Sequence, residues 1–428
     1  MLENFDFVSQ VIISLSLMLI GGYGMSRLTK LIKLPNVTGY ILAGIIMGPY
    51  CLNVVPQIII DGMDFISDIA LAFIAFTTGE FFTKTILKSN GPKVVVITIF
   101  ESLTASAAVF LFSYFGLKLG IVFSIVLGAL ASATAPASTL MTIRATKAQG
   151  DFVDTLLQVV ALDDVVGLLA FSVAVAVATS YLSNSFSFNV VILPIIYNII
   201  SIVIGFLLGI FLNIFNKRHS NESRLIITIA VIFIECGISS LLGVSPLLGC
   251  MMMGTAYING AKDSKLFKQI NSFTPPIMLI FFVRSGLNFN FNALFDFNSK
   301  INGISLVWIG LGYFLVRILG KYLGAFLGCV VTKKKALVRN NLGLALVPQA
   351  GVAIGLAALA RRIIGGESGV AIETIILASS VLYELVGPAL AKLSLYLSHS
   401  YLVKKNKYDK IEEPLKVKEQ DKIQGIRN

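Results

Sequence analysis

Long apolar blocks separated by short polar segments run from near the N-terminus to about residue 396. Hydropathy predicts thirteen membrane spans, at about 9–27, 37–53, 64–84, 93–115, 119–143, 155–180, 188–215, 224–241, 243–258, 273–290, 302–330, 338–360 and 369–396. Their ends are fixed to within several residues, and only Leu242 to Val244 separates the eighth from the ninth. Lysine and arginine test the count. Eighteen lie in loops after odd-numbered spans, and four (Lys118, Lys300, Arg361 and Arg362) lie in loops after even-numbered ones. Cytoplasmic loops carry such an excess, and one miscounted span would scramble it downstream. The pattern predicts an outside N-terminus and a cytoplasmic C-terminus.

Composition removes the soluble alternative. Hydrophobic residues make up 56% of the 428 and charged residues 13%, against about 25% charged in a soluble domain. The net charge of +11 would suit a nucleic-acid binder, but the basic residues sit in short loops and the tail. The expected partners are therefore membrane lipid and no nucleic acid. Residues 397–428 form a charged tail too short for a second domain, with eight Lys or Arg from Lys404 to Arg427. It reads as a solvated cytoplasmic extension. The start, MLENFDF, is acidic and runs into a full span, so no cleavable signal peptide is expected. Cys51, Cys236, Cys250 and Cys329 have no metal-type spacing and read as reduced packing residues.

Inside the sixth span stands Asp163-Asp164. One ionised Asp near a helix centre costs on the order of 2.5–3.5 kcal/mol on insertion scales. A structural contact could use Ser or Asn at lower cost, so an acid pair at this depth points to a cation or proton site. Two other spans are interrupted. The fifth carries Pro136 among small and hydroxylated residues from Ser132 to Thr139; the twelfth carries Pro348, Gln349 and Gly351. Proline removes a backbone donor, and non-helical backbone at membrane depth is tolerated only against protein or a water-filled cavity. Paired interruptions of this kind are the sequence pointer to an inverted-repeat transporter.

The eleventh span supplies countercharge. Arg317 and Lys321 lie four apart on one face and need anions, for which Asp163 and Asp164 are the candidates. Snorkelling to a surface is the competing reading, and the route is longer for Arg317. Gly320, Gly324 and Gly328 on the same span form a small-residue stripe that permits close helix approach. Glu101, Glu235 and Glu384 carry less weight as isolated membrane acids, and Arg284 reads as a structural partner of one of them.

VTGYILAGIIMGP (Val37 to Pro49), TTGEFF (Thr77 to Phe82), the Asp163-Asp164 helix, GKYLG (Gly320 to Gly324), VPQAGVAIGLA (Val347 to Ala357) and YELVGPALAK (Tyr383 to Lys392) occur in that order. Together they resemble the monovalent cation/proton antiporters, and the adjacent aspartates resemble the electrogenic NapA/NhaA-type sodium/proton branch. The resemblance implies an all-α membrane homodimer of the NhaA-like fold, with thirteen spans, inverted repeats and two crossed discontinuous helices. It also implies a transmembrane domain over residues 1–396. Core helices would cover about 93–180 and 302–396, dimerisation helices about 9–84 and 224–290, and a linker helix about 188–215. Asp164 would alternately hold sodium or protons, Asp163 would pair with a helix base, and Thr134 would add a cation-facing oxygen. Lys321 is the implied base; Arg317, one turn away, keeps a second base in reach. Kef-type potassium efflux systems fit less well, since they carry Gln-Asp and a long nucleotide-binding domain.

Exchange also follows from chemistry. Sodium is a hard cation that suits a carboxylate, threonine hydroxyls and carbonyls freed at a helix break. Burial disfavours a carboxylate's charged form, so a proton competes for the same site. No cofactor is implied beyond the transported sodium and protons, and no enzyme activity. An intramembrane aspartyl protease would need its acids on different helices to share one proton. Adjacent residues sit about 100° apart on one helix. A potassium/proton antiporter, a channel and a transport-dead sensor remain the rival readings.

Overall fold

The computed structural model describes residues 5–31, 35–135, 139, 142–143, 146–182, 188–216, 220–261, 264–290 and 300–401. The basic tail from Lys404 to Arg427 and Pro136 therefore lie outside the described residues. In chain order the helices are α1 (Phe7–Leu31), α2 (Asn36–Met47), α3 (Gln57–Gly62), α4 (Asp64–Thr78), α5 (Lys84–Leu111) and α6 (Ile121–Leu130). There follow α7 (Asp151–Leu182), α8 (Phe188–Phe215), α9 (Asn221–Leu241), α10 (Leu247–Ala261), α11 (Lys265–Phe273) and α12 (Pro275–Leu287). The last four are α13 (Leu306–Val331), α14 (Ala336–Ala345), α15 (Gly351–Ile364) and α16 (Gly366–Leu397).

Seven of these are long and apolar enough to cross a bilayer alone, or eight if α11 and α12, bent by 47° about Thr274, count as one. The other predicted spans are short or broken. Helix α2 stops at Met47, short of the predicted end at 53, because Pro49 disfavours helix in the residue before it. The segment predicted as loop around Lys265 and Lys268 is α11, a short helix that buries Leu266, Phe267 and Ile270. Residues outside helices include one antiparallel pairing, Lys300–Ile301 with Ile304–Ser305. Asn302 and Gly303 turn it with φ of 51° and 80°, the left-handed pair that a tight hairpin uses.

Packing gathers the helices into two groups. Helices α1, α2 and α12 pack together, and α10 packs on α4 and α8. Helix α13 lies along α5, while α7, α14 and α16 close around them. In the first group Gly44 and Gly286 pass so closely that a Cβ on Gly44 would lie 2.9 Å from the Gly286 Cα. In the second, the Gly320, Gly324 and Gly328 stripe does the same work: added Cβ atoms would lie 2.8, 2.6 and 2.8 Å from the Cα atoms of Ala105, Glu101 and Ile97.

The fifth and twelfth spans are discontinuous, and their breaks meet. Helix α6 ends at Leu130 and unwinds through Ala131 to Ala135; α14 ends at Ala345 and α15 begins at Gly351. The Ala135 amide donates to the Pro348 carbonyl (2.9 Å), and the Gln349 side chain donates to the Leu130 carbonyl (2.8 Å). Thr139 Oγ1 donates to the Ala345 carbonyl (3.1 Å). Each break thus satisfies backbone groups of the other, which is how unwound chain survives out of water. Helix α16 crosses here at Gly387, where a Cβ would come within 2.7 Å of the Pro348 ring.

Candidate functional site

Asp163 and Asp164 lie near the middle of α7, and both are buried. Helix α7 reaches the first break at Gly167, one turn further on, where a Cβ would be 2.9 Å from Ser132 Oγ. The two carboxylates have different surroundings. Asp163 Oδ2 accepts from Lys321 Nζ at 3.0 Å, and Asp163 Oδ1 accepts from Ser102 Oγ of α5. Asp164 Oδ1 is buried and has no hydrogen-bond partner among the described residues.

Lys321 is fully buried on α13 and makes three polar contacts. Besides Asp163 it donates to the Ser132 carbonyl at the first break, and it forms an ion pair with Glu101 Oε2 at 2.7 Å. An ammonium has three donors: two are taken by hydrogen bonds here, and its charge also faces the Glu101 carboxylate. Glu101 reaches Lys321 because Gly324, one turn along α13, admits the α5 backbone. A lone Glu in an apolar run names no partner, so Glu101 does not stand out in the sequence. The available signal was the small, hydroxylated run Ser102 to Ala108, which matches the glycine stripe it packs against.

Arg317 does not meet the aspartates. Its Nε donates to the Ala131 carbonyl (3.0 Å), and its two terminal nitrogens to the carbonyls of Val347 (2.8 Å) and Ala133 (2.6 Å). The guanidinium also lies 4.6 Å from the Tyr383 ring centre. Its charge thus faces carbonyls freed at both breaks, where the negative ends of α6 and α14 point. Thr134, at the first break, donates from Oγ1 to the Leu346 carbonyl at 3.5 Å. Pro348 and Gly351 stand in the second break and at the first residue of α15.

A cavity of about 20 Å³ lies one turn before the aspartates, lined by Gln158, Ala161 and Leu162 of α7 with Phe81, Phe82 and Val94. A separate charged group lines a cavity of about 210 Å³. Here Arg284 pairs with Asp64 and also donates to Ser67 Oγ (3.0 Å) and to the Ile60 carbonyl (3.3 Å). That corrects its expected pairing with a membrane acid: Asp64 opens α4 within reach. Arg361 pairs with Glu373 at 2.7 Å, and Arg362 with Asp68 at 2.6 Å.

The sequence matches the family described as Sodium/hydrogen exchanger, transmembrane, over residues 14–392. The chain belongs to the sodium/hydrogen exchanger family. A relative described as "Probable Na(+)/H(+) antiporter 3", from Methanocaldococcus jannaschii, is 22% identical over 427 residues, covering 95% of this chain and 99% of its own length. Among solved structures, the sodium proton antiporter MjNhaP1 of the same organism, determined at pH 8, superposes with a TM-score of 0.73 at 20% identity, covering 91% of this chain and 98% of that one. A second, electron-microscopy structure of MjNhaP1 gives 0.72 at 20% identity, covering 94% of this chain and all of that one. The exchanger fold, an all-helical polytopic membrane protein, is therefore that of this chain, and the family is one of transporters.

Proposed function

We propose that this exchanger moves sodium against protons by alternating access, with Asp164 holding either ion. The contrast between the two aspartates carries the reading. Asp163 has its charge answered by Lys321 and a hydroxyl, whereas the adjacent Asp164 keeps a buried oxygen that no described group occupies. A buried carboxylate oxygen so placed, on the helix that meets the first break at Gly167, offers a hard oxygen ligand to sodium and one proton site in its absence. The names of the relatives favour sodium over potassium.

Lys321 would set the charge moved per cycle. Sodium at Asp164 draws on Asp163 and loosens the Asp163–Lys321 pair, so a second proton leaves the coupled groups and two protons cross against one sodium. The transmembrane potential, worth about 2.3 kcal/mol per charge per 100 mV, then drives the exchange. We place the protein as a homodimer in the cell membrane, N-terminus outside and C-terminus in the cytoplasm, on the strength of the loop-charge asymmetry and the resemblance. Core helices at about 93–180 and 302–396 carry the site, and helices at about 9–84 and 224–290 form the dimerisation side.

Proteoliposomes with sodium or potassium trapped inside, an external pH dye and a clamped potential test the reading. Sodium-dependent proton movement that Asp164→Asn abolishes supports it. Exchange with potassium alone, steady conductance without coupling, or full activity in Asp164→Asn overturns it.

A further inference from the structure

Three carboxylates and one ammonium are buried where α5, α7 and α13 pack together: Asp163, Asp164, Glu101 and Lys321. The second base on α13 does not change that balance, because Arg317 is committed to the carbonyls of Ala131, Ala133 and Val347. Among the described residues Lys321 is the side-chain cation ion-paired to Glu101 and Asp163, at 2.7 and 3.0 Å. It stands between an acid beside Asp164 and an acid on the opposite wall, contributed by α5.

A buried ammonium that loses its anion is costly, because no water replaces the partner. If Asp163 were the sole anchor, sodium drawing on Asp163 would strand Lys321 before the second proton had left, and the ammonium would oppose sodium's entry with its full charge. A second anchor answers that charge until the proton leaves. We infer that Glu101 is a positioning residue of the exchange site: it holds Lys321 at its station while Asp163 turns towards sodium at Asp164. This rests on the sodium reading above. Glu101 does not touch the ion; its effect passes through Lys321 and appears as sodium affinity. The backbone fixes the arrangement, since Gly320, Gly324 and Gly328 set α5 against α13 at Cα-level contact.

The test is Glu101→Gln in the full-length protein, which keeps the shape and removes the charge. With sodium as the varied ion at fixed pH, the expected result is a KM for sodium raised about tenfold and a maximal rate within about twofold of the unmodified protein. The upward shift in melting temperature that sodium gives should shrink in parallel. A role in packing alone would lower the melting temperature with and without sodium and leave KM in place. Glu101→Asp, with the charge kept and the reach shortened, should give an intermediate KM; it also decides the matter if Glu101→Gln does not fold. An unmodified KM in either variant, or a loss confined to maximal rate, overturns the inference. If the unmodified protein shows neither exchange nor stabilisation with sodium, the functional reading fails and takes this inference with it. A normal sodium response retained in Glu101→Gln sinks the inference alone.

Discussion

Gly324 and Glu101 meet backbone to backbone: a Cβ on Gly324 would lie 2.6 Å from the Glu101 Cα and 2.6 Å from the Phe100 carbonyl oxygen. Neither neighbour can swing aside as a side-chain tip would. Gly324→Ala should therefore separate α5 from α13 and destabilise the protein by about 1–3 kcal/mol. The check is the melting temperature in detergent, with Gly310→Ala, where a Cβ meets open space, as control. Equal melting of the two variants would show that the close approach is not needed.

Lys321→Gln removes the cation between Glu101 and Asp163 and leaves two buried acids facing each other. Breaking one partner of a buried pair costs roughly 3–5 kcal/mol. Stability should fall by that order, and potential-driven sodium uptake should be reduced or lost, with any residual exchange closer to one for one. Measuring the reversal potential alongside melting separates the two effects. Unchanged values for both would remove Lys321 from the coupling.

Arg317→Gln should behave differently. Three carbonyls lose charged donors, and each buried polar group left unpaired costs about 1–3 kcal/mol. The melting temperature should drop at least as far as in Lys321→Gln, yet the protein that remains folded should keep its proton-to-sodium ratio. A changed ratio in Arg317→Gln with a normal one in Lys321→Gln would reverse the roles assigned to the two bases.

Orientation is open to labelling. In a Cys51→Ser background, chosen because Cys51 is the exposed cysteine among the described residues, a cysteine at Asp61 should react with an impermeant reagent from outside intact cells. A cysteine at Lys335 should react only once the membrane is opened. Both positions labelled from the same side would mean that the loop-charge map is wrong.

Much of this architecture was legible in the sequence because lipid imposes simple demands. Apolar length marked the seven helices that can cross a bilayer alone, and proline with small residues marked both breaks. The spacing of Gly320, Gly324 and Gly328 foretold a close helix neighbour, but a stripe of small residues does not name the helix that fills it. That gap hid Glu101 and Ser102, which enter the site only once α5 is known to lie on α13. Arg317 and Lys321 share one face of one helix, so periodicity could not divide their tasks. A difference of one turn sends one to backbone carbonyls and the other to carboxylates. Arg284 pairs with Asp64, the first residue of α4 and of the third predicted span, where an acid reads as a helix start and not as a buried partner.

The three carbonyls on Arg317 have a mechanical consequence. One guanidinium ties residues 131 and 133 of the fifth span to residue 347 of the twelfth, like a rivet through two crossed struts. Spreading the struts would leave a buried positive charge without acceptors, so a passage cannot form by prising the crossing apart. Any movement of the crossing would then carry the two half-spans as one unit, with the aspartate helix packed against it at Gly167. Where α15 of this frame meets α4, the join includes the side-chain pair of Arg362 with Asp68.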